Sequence, residues 1–155
     1  MDNYVVKSCD ANLKAVFDVQ MTKESIRESF ENSNFFSYLG FEILEFNEEH
    51  VLLKLQLNDH LLNVNGTLHG GVHASMLDQV LGMLIKATTK APCATINLNV
   101  SYLAPTTGGV IFATAKVIQQ GYRIVTAEAE IHDEQGTTLA KGIGTFKLFR
   151  DAKLK

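Results

Sequence analysis

The spacing of apolar and polar residues changes period several times along this chain, and each change predicts an element. From Phe41 an apolar run (Phe41, Ile43, Leu44 to Phe46) meets a polar turn at Asn47-Glu48-Glu49-His50. Val51, Leu53, Leu55 and Leu57 then alternate with Leu52, Lys54 and Gln56, so a strand pair joined by a short turn is predicted. The same period of two returns at Ile96, Leu98, Val100 and Tyr102, which alternate with Thr95, Asn97, Asn99 and Ser101 and end at Pro105. A strand from about Val110 to Ile118 follows, and Gln119-Gln120-Gly121 turns the chain. Val125, Ala127, Ala129 and Ile131 face one way against Thr126, Glu128 and Glu130. Asp133-Glu134-Gln135-Gly136 is the next turn, and Leu139 to Phe149 forms the last strand. Turns this short force an antiparallel arrangement, because a parallel crossover needs a dozen or more residues. One-sided alternation predicts one buried and one polar face.

Between the two strand groups the period lengthens. Val72, Met76, Leu77, Val80, Leu81, Met83, Leu84 and Ile85 cover nearly the whole circumference of a helix from Gly70 to about Thr89. A helix apolar all round is expected to be buried all round. About six antiparallel strands and one long buried helix define an α+β class, a curved sheet wrapped around that helix. Upstream, Thr22 can cap a short helix from Lys23 to Glu31, whose Ile26 and Phe30 share a face; a packed helix and a frayed arm are both open readings. Without repeats or a low-complexity linker, residues 1–155 read as one domain, with a preamble over 1–35 and a core over 36–150.

Composition narrows the function classes. Hydrophobic residues at 46% and charged residues at 20% fit a soluble globular protein. A net charge of -3 offers no basic excess for nucleic acid or an anionic membrane. The apolar stretch Gly70–Ala87 carries His73, Asp78 and Lys86, which is too polar for a membrane span. Cys9 and Cys93 make no CxxC pair and no zinc spacing, so both are expected to be packing residues in a reducing cytoplasm, with no metal and no cofactor. The N-terminal MDNYVVKSCDANLK lacks the apolar core of a secretory signal, which agrees with a cytoplasmic location.

Chemistry is concentrated in Asn63-Val-Asn-Gly-Thr-Leu-His69-Gly70-Gly71-Val-His-Ala-Ser-Met-Leu-Asp78. Two glycines at a helix start leave its first N–H groups open, where the helix dipole favours a developing anion. They equally permit close helix–strand packing. Asp78 lies among Met76, Leu77, Val80 and Leu81, where a carboxylate is costly to desolvate. It is either satisfied by a backbone group, Lys86 or His73, or is available as base or nucleophile.

Leu68-His69-Gly70-Gly71, followed by Asp78 and Gly82, resembles the helix-entry motif of hotdog-fold acyl-CoA thioesterases of the phenylacetyl-CoA and 4-hydroxybenzoyl-CoA type. Asn97-Leu-Asn-Val-Ser-Tyr-Leu-Ala-Pro105 and Gln120-Gly121 continue the match, which runs from about Phe36 to Phe149. The resemblance implies a hotdog fold and hydrolysis of an acyl-CoA to free acid and CoA. It implies roles for Asp78 as catalytic carboxylate, Gly70 as the N–H that polarises the thioester carbonyl, and Asn63 as an orienting polar residue. By the same likeness Thr95 positions water and His69 supports the loop. It also implies dimers, often paired into tetramers.

Helix geometry reaches the dimer independently. Asp78 follows Gly70 by eight residues, ~12 Å along the axis. One thioester cannot be served by both from one helix, so a twofold homodimer with a shared site is expected. Gly71, Met76 and Met83 are expected beside the acyl group, and Arg123 and Lys90 near the CoA phosphates; solvated surface charge is the plain alternative for the last two. Phe30, Phe35, Phe36 and Tyr38 would either close the acyl tunnel or pack the core. Two other functions remain open. One is a hotdog-fold enoyl-CoA hydratase or dehydratase, weakened because His73 and Asp78 do not share a helix face. The other is a non-catalytic acyl-CoA-binding module.

Overall fold

In the computed structural model, which describes residues 21–150, the chain enters through two short helices. The Thr22 hydroxyl accepts the Ser25 N–H and starts α1, Lys23–Glu31, the cap and span that its sequence predicts. Ile26 and Phe30 are both buried, so this helix packs on the body. A second helix, α2 (Asn34–Leu39), is started by Ser33 and stopped by Gly40 in the left-handed region at φ 82°. Phe30, Phe36 and Phe41 make an edge-to-face chain with centroids 6.3 and 5.4 Å apart. Phe35 and Tyr38, in contrast, stay exposed. Cys9 lies outside the described residues.

The six strands are β1 (Phe41–Phe46), β2 (Val51–Gln56), β3 (Cys93–Tyr102), β4 (Val110–Gln120), β5 (Ile124–Asp133) and β6 (Thr138–Leu148). They form one sheet in the order β1-β2-β4-β5-β6-β3, with every neighbouring pair antiparallel. The long helix α3 (Gly70–Thr89) follows a single 3-10 turn at Asp59–Leu61 and lies against the sheet's inner face. Leu53, Leu55, Ile111, Val125, Ala127, Ile131 and Phe146 share one core with Met76, Leu77, Val80, Leu81 and Leu84. This curved antiparallel sheet around a central helix is the hotdog fold.

Two expectations from the pattern need correction. Helix α3 is not buried all round: Ala74, Ser75, Asp78 and Gln79 are only half-buried, because the sheet covers most of its circumference and leaves one strip open. Strand β3 does not alternate as read. Thr95 lies opposite Phe146 and Asn97 opposite Thr145, so Ile96 is an extra, bulged residue, and it is 54% exposed. The bulge shifts the phase by one, turning Thr95 to the helix side with Leu98 and Val100. Among the described residues strand β3 is also an edge, reached from α3 and paired on one side only.

Close helix–sheet approach depends on small residues in β6. A Cβ on Gly144 would lie 2.8 Å from Phe146 Cε2 and 3.0 Å from Leu81 Cδ1. Both of those side chains are fully packed in the core and have little room to yield. The substitution Gly144→Ala is expected to cost about 1–3 kcal/mol by overpacking, read as a lower urea midpoint with unchanged slope.

Candidate active site

The mouth of α3 is built from a self-satisfied loop and a side-chain cap. Asn63 N–H donates to Thr67 O at 2.7 Å and Gly66 N–H to Asn63 O at 2.9 Å. The Asn63 carboxamide closes the loop from within. Its Oδ1 accepts from Asn65 N at 2.8 Å, and its Nδ2 donates to Thr67 Oγ1 at 2.8 Å. Gly66 takes a left-handed φ of 73° that other residues adopt only under strain. His69 is the N-cap: its Nδ1 accepts the Gly71 N–H at 2.9 Å, which fixes Nδ1 as the unprotonated ring nitrogen.

Both glycines have steric reasons to be there. A Cβ on Gly71 would lie 3.0 Å from His69 Nδ1, against the capping imidazole. One on Gly70 would lie 3.3 Å from the Tyr102 ring, which packs over it. The Tyr102 hydroxyl donates to Gly70 O at 3.2 Å. Gly70, Asn63 and Thr67 line a cleft of ≈ 300 Å³ together with Leu68, His73 and the Tyr102–Pro105 strip.

Two turns farther along α3, Asp78 occupies the half-open strip. Its Oδ1 accepts from Thr95 Oγ1 at 2.8 Å. Neither Lys86 nor His73 fills that role, although each could have done so by type. The Lys86 ammonium lies 4.7 Å over the Phe30 ring instead. Cys93 is close enough to feel Asp78 and Lys86. Burial above all pushes its thiol up to about 11, against the pull of the Lys86 ammonium and with a smaller push from the Asp78 charge, so it stays protonated near neutrality.

The structure therefore gathers Asn63, His69, Gly70 and Gly71 at the mouth, and Asp78 with Thr95 in a second cluster. Gly71 N–H is already engaged by His69. Met76 and Met83 are fully buried in the core. Lys90, the helix C-cap at φ 51°, has its ammonium 2.8 Å from Glu48 Oε1. Arg123 is exposed beyond β4, its carbonyl accepting from Leu148 N–H at 2.8 Å.

Two residues of the mouth were not singled out from the sequence as site residues. Tyr102 reads there as one more alternating apolar position of β3 and as part of the matched Asn97–Pro105 stretch, with no role of its own. His73 reads only as a possible partner for Asp78. The residue is 4% exposed, and among the described residues neither ring nitrogen has a hydrogen-bond partner. Burial holds its pKa below the ordinary value, countered in part by the His69 carbonyl near the ring, which neither nitrogen meets in hydrogen-bond geometry. Its ring meets Tyr102 edge-on with centroids 5.8 Å apart. Among the described residues no three His, Cys, Asp or Glu side chains are grouped as a metal site requires, and no helix is long and apolar enough to cross a membrane.

The capped helix mouth and the Asp78 carboxylate lie on one helix, wrapped by a single antiparallel sheet in the hotdog arrangement. The sequence profile of the thioesterase superfamily matches residues 65–140. A protein of Halobacterium salinarum named a "putative esterase" is 30% identical over 148 residues, covering 87% of this chain and 97% of that one. Human acyl-coenzyme A thioesterase 13 is 27% identical over 127 residues, 79% of this chain and 91% of its own. The fold alone is shared with the Escherichia coli PaaI protein of the phenylacetic acid degradation operon. That likeness has a TM-score of 0.77 at 22% identity, over 81% of this chain and 91% of that one. The chain belongs to the thioesterase superfamily.

Burial of an unpartnered imidazole has a pH consequence. Because the folded His73 pKa lies below the unfolded value near 6.5, the unfolded chain binds more protons between the two. This contribution to stability is complete above about pH 6.5 and is lost as pH falls toward the folded value, by at most about 1.4 kcal/mol per pH unit. Between pH 7 and pH 5 the melting temperature of the wild type should fall further than that of His73→Leu, measured by circular dichroism in matched buffers.

Proposed function

We propose that this protein hydrolyses acyl-CoA thioesters at a site shared by two subunits, with Asp78 from one and the Gly70 N–H from the other. One observation carries the reading. Both clusters flank the same edge strand of the described sheet, Asp78 through Thr95 near the start of β3 and Gly70 under Tyr102 at its end. Within one chain they are ~12 Å apart along the helix. A base acting through one water must lie within roughly 6 Å of the reacting carbon, and an oxyanion donor ~3 Å from its oxygen. One chain cannot meet both demands.

The outer edge of β3, which no described strand pairs, offers a remedy. Two copies pairing antiparallel along it about a twofold axis bring the Thr95 end of each strand to the Tyr102 end of the other. A homodimer then holds two identical sites, and pairing of dimers into a homotetramer leaves both intact. In the reaction, Gly70 N–H at the positive helix end receives the growing charge on the carbonyl oxygen. Asp78 takes a proton from water as the water oxygen bonds to the carbonyl carbon. The C–S bond then breaks, and the sulfur leaves as the CoA thiol with that proton. Alternatively Asp78 attacks the carbonyl carbon, the C–S bond breaks as the CoA thiolate leaves, and water then cleaves the anhydride to free acid and restores the carboxylate. Thr95 holds the carboxylate in place. No cofactor or metal enters either route. The name of the human relative supports a CoA substrate, and we place the protein in the cytoplasm, where its thiols stay reduced.

Free-thiol release across short, medium, long and aromatic acyl-CoAs tests the activity. In it, Asp78→Asn should lower kcat by about 10²- to 10⁴-fold. The variant Thr95→Val, which loses one charge-assisted hydrogen bond, should lower it by roughly 10-fold or more. Retention of full activity by Asp78→Asn would refute the assignment.

Subunit sharing has its own test. Asp78→Asn chains are mixed with Gly70→Val chains and allowed to exchange, each parent having been shown folded and paired. Hybrid dimers carry both defects in one site and leave the other whole. An equal mixture should therefore regain about a quarter of wild-type activity. No recovery would mean that the site lies within one chain.

A further inference from the structure

His73 has no part in the reaction just described, yet it forms wall of the same cleft as Gly70. The positions around it in α3 are filled by Val72, Met76 and Leu77, all buried and apolar. An imidazole with neither nitrogen bonded is a costly occupant of such a place. An apolar side chain of similar size would be the more stable choice. A neutral imidazole offers one donor and one acceptor, so it matches a ligand group that can both accept and give a hydrogen bond.

Position narrows what that group is. His73 follows Gly70 by three residues, one turn, or ~4.5 Å along the helix axis. With a thioester carbonyl at the Gly70 N–H, a ligand atom near the imidazole belongs a few bonds from that carbonyl. The charged CoA end has to reach solvent, whereas His73 is nearly shut off from it. The acyl side is therefore the one that meets the ring. Tyr102 stands over this approach: it ends the edge strand, is 56% exposed and is tied to Gly70 O by one 3.2 Å hydrogen bond. Its ring lies edge-on to the imidazole, so an outward turn uncovers His73 and Gly70 together.

We propose that His73 is a specificity residue that reads a hydroxyl or keto oxygen on the second or third carbon of the acyl group, with Tyr102 as the flap that admits it. This rests on the acyl-CoA hydrolase reading above. The preferred substrates are then oxygenated acyl thioesters, and plain acyl chains of equal length are the poorer ones.

The test compares kcat/KM for CoA release from octanoyl-CoA, 2-hydroxyoctanoyl-CoA, 3-hydroxyoctanoyl-CoA and 3-oxooctanoyl-CoA. The enzymes are the wild type, His73→Leu, His73→Gln and Tyr102→Phe. The wild type should favour at least one oxygenated substrate over octanoyl-CoA by about 10-fold or more, as a site built to hydrogen-bond its substrate does. His73→Leu should bring that ratio close to one, and His73→Gln should keep part of it. Tyr102→Phe, which frees the flap from Gly70 O, should keep the ratio while changing KM. A wild-type ratio of one or less overturns the proposal, as does a ratio that survives His73→Leu. An equal loss on every substrate also overturns it, since His73 would then act on the part common to all. Release of CoA without selectivity sinks this inference alone. Absence of release from every acyl-CoA tried sinks the hydrolase reading with it.

Discussion

Helix α3 has to hide Val72, Met76, Leu77, Val80, Leu81, Leu84 and Ile85 from water, and a single antiparallel sheet has to do most of the hiding. Each such side chain contributes about 1.5–3 kcal/mol on burial, so the helix fixes the curvature of everything around it. The sheet answers with inward rows from β2, β4, β5 and β6, and with Gly142 and Gly144 where the backbone comes closest. What the sheet does not cover is one strip of α3, and Asp78 lies on that strip.

The chemistry follows from the same rigidity. A straight helix holds its mouth and its carboxylate at a fixed separation that no side-chain rotation can close. The partner for Asp78 comes instead from across the groove, where the β3 bulge presents Thr95 to it. At the other end of that strand Tyr102 packs over Gly70. One edge strand thus serves both halves of the candidate site, and no described strand covers its outer side, where the proposed second copy would pair.

Much of this is legible in the sequence because it is local. Thr22 marks the start of α1 by its hydroxyl, and the change from period two to an all-round apolar run marks α3. The turns at Asn47 and Asp133 announce themselves by side chains that accept backbone N–H groups, as Asn47 Oδ1 does from Glu49 and His50. Nonlocal features are hidden. Alternation looks alike in a central and an edge strand, so it does not reveal that β3 pairs with β6 at the margin. A bulge inserts one residue without altering the apparent alternation, so the pattern sends Thr95 to the polar face. The motif likeness nevertheless picks Thr95 out. Helix α2 is too short to show a period, although Ser33 and Gly40 bracket it. That His73 lacks a partner depends on every neighbour at once, which no spacing rule captures.

The loop from Asn63 to Thr67 meets its own polar demands through the Asn63 carboxamide and its backbone pairs. It is therefore rigid before any ligand arrives, and docking against it freezes little motion that was not already frozen. Preorganisation of this kind leaves more of the contact energy for holding the ligand in register.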